Sequence, residues 1–219
     1  MPRTTPRFGR ILTAMVTPFD ERGALDLDAA RRLARWLVER GNDGLVVAGT
    51  TGESPTLSDD EKLSLFAAVA EAVRVPVIAG TGSNDTAHSV HLTREATRLG
   101  VAGILAVCPY YNRPPQSGIE APLRAVAAAT TLPVVIYDIP VRTGRKIATA
   151  TLARLAREVP NAAALKDAAG NPAETAVLMS QVPSSFELLS GDDNLTLPFM
   201  SVGATGVIGV ATHWTAEDH

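Results

Sequence analysis

The sequence predicts an α/β fold whose parallel strands close into an eight-stranded barrel, and three observations carry that prediction. Short apolar runs bounded by Gly or Pro recur eight times, at a spacing of roughly 30 residues, the length of a strand–helix–strand unit. The segments between them carry helical periodicity. The runs are continuously apolar rather than alternating, as strands covered on both faces must be. Together these describe a (β/α)8 TIM barrel over residues 1–219, read as one barrel domain.

The strands are expected at Ile11–Val16, Gly44–Val47, Val75–Ala79, Gly103–Val107, Pro133–Tyr137, Ala162–Lys166, Phe186–Ser190 and Gly206–Val210. The first helix is read over Leu27–Arg40, where Leu27, Ala30, Leu33, Ala34, Leu37 and Val38 share a face. The second, Ser58–Val73, opens with Ser58 and Glu61 at the capping-box spacing, which leaves Ala48–Leu57 as a loop. Further helices follow at Thr86–Leu99, Gly118–Ala129, Thr149–Glu158 and Pro172–Gln181. Pro122 removes a helical hydrogen bond, so the fourth helix is expected to start near it or to kink there. An open dinucleotide-binding sheet is disfavoured: Gly80-Thr81-Gly82 lacks the third glycine and the acidic partner of that fingerprint. After the eighth strand only Ala211–His219 remain, too few for a covering helix, and a barrel of this class takes about 250 residues. The chain is therefore expected to be truncated after that strand.

Composition narrows the function. A net charge of -3 gives no electropositive field for nucleic acid or anionic lipid, so the expected partner is a small molecule. No apolar stretch reaches the length of a membrane span, and none follows the basic N-terminus as a leader would; the expected compartment is the cytoplasm. The one cysteine, Cys108, has apolar or aromatic neighbours and reads as a small buried hydrophobe. Of the histidines, His88 and His91 share a helix face without a third ligand, which reads as a solvated face, and neither metal nor cofactor is expected.

Chemistry in such a barrel comes from the C-terminal strand ends. The sixth strand, uncharged from Asn161 to Leu165, ends in Lys166. A desolvated ammonium loses its proton more readily and becomes a nucleophile for carbonyl carbon. Alternation sends Asp167 to the other face, away from Lys166. Tyr137 closes the fifth strand on the face of Val135, as a packing aromatic or with its hydroxyl at work on the rim. The second strand runs into Gly49-Thr50-Thr51-Gly52-Glu53-Ser54, a turn whose backbone N–H groups can meet a carboxylate.

In this order, the glycine-hydroxyl turn, strand-end tyrosine and strand-end lysine resemble the dihydrodipicolinate synthase and N-acetylneuraminate lyase family of class I aldolases. The resemblance extends over Thr17-Pro18-Phe19, Gly80–Asn84, Pro109-Tyr110-Tyr111-Asn112, Tyr137–Gly144, Leu165-Lys166-Asp167, Ser190-Gly191-Asp192-Asp193 and Gly206-Val207-Ile208. It implies that Lys166 forms an imine with pyruvate and that Tyr137 passes protons. It further implies that Thr50 links Tyr137 to Tyr111 of a neighbouring subunit, that Thr51 holds the pyruvate carboxylate, and that Gly191 and Ile208 add main-chain contacts. Arg142, in Pro-x-Arg-Thr-Gly, suits the carboxylate of L-aspartate 4-semialdehyde through two parallel hydrogen bonds. The implied reaction is condensation of the two substrates toward diaminopimelate and lysine, in a homotetramer. Lysis of a 2-keto-3-deoxy sugar acid is the runner-up, and an inactive truncated barrel with a binding or assembly role is the alternative of another class. In lysine-inhibited members a carboxylate often stands at the position of His88, so its replacement argues against feedback. Members also continue into a covering helix and a small helical domain that Ala211–His219 cannot supply.

Overall fold

The computed structural model describes residues 6–218. Eight strands pair in chain order, all parallel, and the last pairs with the first to close the barrel. They are β1 (Ile11–Ala14), β2 (Gly44–Val47), β3 (Val77–Gly80), β4 (Gly103–Val107), β5 (Val134–Asp138), β6 (Ala162–Asp167), β7 (Glu187–Ser190) and β8 (Gly206–Gly209). The eight-run reading of the sequence and the closed topology agree. Period-two alternation divides each strand between two cores. Leu12, Val46, Ile78, Leu105, Val135, Tyr137, Ala164, Leu189 and Ile208 fill the barrel, while Leu45, Val77, Ile104, Ile136, Leu165 and Leu188 pack outward on the helices.

The covering helices are α1 (Leu27–Glu39), α2 (Asp59–Ala72), α3 (Thr86–Ala96), α4 (Gln116–Ala128), α6 (Thr149–Glu158) and α7 (Pro172–Met179), with a short α5 (Pro140–Thr143) in the loop after β5. Ser58 and Glu61 form the expected capping box at the start of α2. The expected start of α4 near Pro122 is corrected: the helix begins at Gln116 and includes Pro122 in its interior, the other alternative of the reading. Its first turn is anchored from outside, because the Gln116 side chain donates to the Lys146 carbonyl and accepts from the Ala148 N–H. The sequence reading also passes over α8 (Thr196–Ser201) between β7 and β8. After β8 the chain forms one helical turn, α9 (Thr212–Thr215), and a 3-10 turn over Ala216–Asp218. Thr212 is tied to β1 by a buried hydroxyl bond to Thr13, which in turn donates to Asn42. Among the described residues no helix is long and apolar enough to cross a membrane.

Phe8 plugs the N-terminal mouth of the barrel and is 1% exposed. Gly103 makes room for it, since a Cβ there would stand 2.8 Å from the Phe8 ring. Phe8→Ala would leave a cavity in the interior, and the expected cost is about 3–5 kcal/mol. Urea unfolding checks this: the midpoint falls while the slope is unchanged.

Candidate active site

β5 and β6 end side by side, with Tyr137 opposite Lys166 and Asp138 opposite Asp167. Alternation turns Tyr137 and Lys166 into the barrel, where the Lys166 Nζ lies 4.4 Å from the centroid of the Tyr137 ring. Lys166 is 4% exposed. Burial draws its pKa down to about 8, against the opposing charge of Asp193. Burial also raises the pKa of the Tyr137 phenol; a hydrogen bond with Thr50 and the charge of Arg142 pull it back, and Asp192 adds to the rise.

A cavity of about 380 Å³ opens at this end of the barrel, walled by the loops after β2 to β5. Its lining is mostly apolar with a few convergent polar groups, as small-molecule sites are. Thr50, Tyr111, Tyr137 and Arg142 share it. Lys166 lies against the Tyr137 ring and outside the lining itself. Thr51, Gly191 and Ile208 are not among the lining residues either. Ile208 is wholly buried in the interior cluster that also contains Tyr137. The Gly191 N–H donates to the Asp167 carbonyl at 2.7 Å and is thereby used within the rim. Thr51 sits half-buried in a turn closed by bonds from Glu53 N–H to the Thr50 carbonyl and from Ser54 N–H to the Gly49 carbonyl.

Backbone strain collects around the cavity. Ala48, Glu53, Tyr111 and Arg113 are non-glycine residues with positive φ, between 49° and 70°. Ala48 and Tyr111 are cavity walls. Residues persist in such conformations only where their surroundings hold them. Tyr111 lines the cavity and is 86% exposed.

Asp167 points away from Lys166 as alternation requires, accepting from Thr175 Oγ1 at 2.6 Å and from the Ala169 N–H at 2.9 Å. The charge facing Lys166 comes instead from Asp193, just after β7, whose carboxylate also accepts the Val210 and Ala211 N–H groups. No strand alternation could have revealed that charge across the rim. Asp138 is a second omission, although an acid ending an apolar strand is the same signal that marks Lys166. Of the two histidines read as a solvated face, His91 is exposed, whereas His88 is partly buried and bonded. Its Nε2 meets Asp59 Oδ1 at 2.7 Å and its Nδ1 faces Ser83 Oγ at 3.3 Å. Cys108 is buried, with its thiol pKa pushed up to about 12, chiefly by that burial. Among the described residues no group of three His, Cys, Asp or Glu side chains is arranged to hold a metal.

Residues 7–219 match the Dihydrodipicolinate synthetase family. A 4-hydroxy-tetrahydrodipicolinate synthase of Moorella thermoacetica is 56% identical, the match covering 96% of this chain and 73% of the relative. One of Symbiobacterium thermophilum is 53% identical over 95% of this chain and 71% of its own. Among solved structures, the dihydrodipicolinate synthase of Bacillus anthracis superposes with a TM-score of 0.94 at 45% identity, over 96% of this chain and 73% of that one. With the barrel closed as in that structure and the sequence matched from end to end of the strands, the chain belongs to the dihydrodipicolinate synthetase family.

Proposed function

We propose that the chain condenses pyruvate with L-aspartate 4-semialdehyde to 4-hydroxy-tetrahydrodipicolinate through an imine on Lys166. The observation that carries this is an amine buried at a strand end against a phenol, with a pKa brought down to about 8. The neutral amine adds to the keto carbon of pyruvate, and loss of water gives the imine. Loss of a methyl proton gives the enamine, whose carbon attacks the aldehyde. The aldehyde substrate's own amine then attacks the imine carbon, closing the ring and returning Lys166 as the free amine.

Tyr137 passes the protons in these steps, with Thr50 as its hydrogen-bond partner. Thr51 receives the pyruvate carboxylate, and Gly191 and Ile208 complete the pocket by main-chain contacts. Tyr111, exposed on one chain, completes the site of a second copy in a homo-oligomer, a tetramer as the resemblance implies. The chemistry needs no metal or cofactor and is assigned to the cytoplasm, in keeping with a lone unpaired cysteine.

Arg142, at the cavity wall, binds the carboxylate of the aldehyde and favours this reaction over lysis of a 2-keto-3-deoxy sugar acid. Arg142→Ala is expected to raise the KM for aspartate semialdehyde about 10- to 100-fold, the worth of a charged hydrogen-bonded pair. Steady-state condensation assays check it, with capture of pyruvate measured alongside. Cleavage of a 2-keto-3-deoxy sugar acid without condensation would overturn the reading in favour of the lyase.

A further inference from the structure

Outward positions near the end of β5 are apolar, as Val134 and Ile136 show, yet the outward residue that ends it is Asp138, 1% exposed. Its carboxylate has a specific partner: Oδ1 accepts the N–H of Ile147 at 3.2 Å. The loop from Ile139 to Lys146 is thus closed on the residue from which it departs. Within the loop, the Arg142 and Thr143 N–H groups both donate to the Ile139 carbonyl, and the Gly144 N–H donates to that of Pro140. Thr143 Oγ1 bonds the carbonyls of Ile139 and Arg145. The loop is therefore internally fixed; from outside it is held by Arg113 Nε on the Gly144 carbonyl, by Gln116 on the Lys146 carbonyl, and at its junction with the barrel. Asp138 holds that junction from the barrel side, and its own carbonyl accepts the Ala168 N–H, tying it to the rim of β6.

We propose that Asp138 is a positioning residue that sets affinity for the aldehyde substrate by fixing the loop that carries Arg142. The proposal rests on the reading of Arg142 as the ligand of that substrate's carboxylate. The neighbours make the clamp responsive to charge. Lys146 Nζ stands 4.0 Å from Asp138 Oδ2 and is shared with Glu174 on α7, while Asp167 on β6 repels the carboxylate and Cys108 beyond β4 stays a neutral thiol. Burial raises the Asp138 pKa to about 7. As pH rises through that value the side chain ionises, accepts more strongly from Ile147 and attracts Lys146, so the loop is held more tightly above neutrality.

The test compares wild type, Asp138→Ala, Asp138→Asn and Arg142→Ala in condensation assays and in borohydride trapping with pyruvate alone. Asp138→Ala is expected to raise the KM for aspartate semialdehyde at least fivefold while Lys166 still captures pyruvate; Asp138→Asn, which keeps an acceptor oxygen for Ile147, restores most of that loss. Between pH 6 and 8 the wild-type KM for the aldehyde is expected to fall as pH rises, and that of Asp138→Asn to lack this component. Should the alanine variant not fold, the pH profile of the isosteric asparagine variant decides. An unchanged aldehyde KM in Asp138→Ala, or identical pH profiles for wild type and Asp138→Asn, overturns the proposal. An unchanged KM in Arg142→Ala overturns the underlying reading instead.

Discussion

Lys166→Ala is expected to yield no borohydride-stable pyruvate adduct and to lower turnover by at least about 10⁴-fold, as loss of a covalent nucleophile does. Peptide mass analysis locates the adduct in the wild type, and the chain offers three lysines for it to choose among: Lys62, Lys146 and Lys166. The competition is decided by burial, which brings Lys166 down to about 8 in spite of the opposing charge of Asp193. Lys62 is also desolvated, but Asp59 lies 4.0 Å from its ammonium and opposes the loss of a proton. Lys146 is paired with Glu174 at 2.9 Å. Among the described residues Lys166 alone is a lysine without an ion pair. At pH 7 a pKa of about 8 leaves roughly a tenth of it neutral, some 300-fold more than an unperturbed lysine has. The sign is fixed by the depressed value: initial trapping rates rise with pH up to about 8 and level off above it. A wild-type adduct on Lys62 or Lys146 would exclude Lys166 as the reactive amine, and a rate still climbing steeply above pH 9 would mean that burial does not depress its pKa.

Strand-end chemistry was legible in the sequence because a covered parallel strand tolerates few polar residues, so each exception stands out. Lys166 against Ala162–Leu165 and Tyr137 against Val134–Ile136 are such exceptions, and alternation alone turned both into the barrel. Asp138 is an equal exception, but alternation turns it outward, away from the barrel interior where strand-end chemistry is read. The spacing of the apolar runs fixed the strand count for the same reason. Shorter pieces were not legible: α5 and α8 are each less than two turns, contain Pro140 and Pro198, and take their stability from packing rather than periodicity. Asp193 and His88 depend on contacts between segments distant in sequence, which no local pattern encodes. The four positive-φ residues around the cavity are of the same kind, because Ala48, Glu53, Tyr111 and Arg113 carry no glycine-like signature of the conformation they hold. The cavity itself follows from those loops, which is why its membership departs from the expected set at Thr51, Lys166, Gly191 and Ile208 while the barrel interior does not.

Tyr137→Phe is expected to reduce kcat by about 10²- to 10⁴-fold, the usual range for loss of a positioned proton donor and acceptor. The ring remains, so the apolar packing around it and the Lys166 ammonium contact survive, and the folded barrel should be retained. What is lost is the hydroxyl. Burial keeps the phenol protonated at neutral pH, which suits it to donate when water leaves the first adduct of Lys166. Acting afterwards as a base is harder for a phenol so held, unless its proton shifts along a chain of hydroxyls. Thr50 is the hydrogen-bonded partner on this chain, and Thr50→Val tests the relay: its kcat should fall as well, by a smaller factor. Adduct yield after long incubation with pyruvate should be nearly unaffected in Tyr137→Phe while the rate of trapping drops, because a proton relay alters barriers and leaves the imine equilibrium in place. A variant that turns over within about threefold of wild type would mean that Tyr137 packs the rim and does no proton transfer, and that the protons move through water in the cavity.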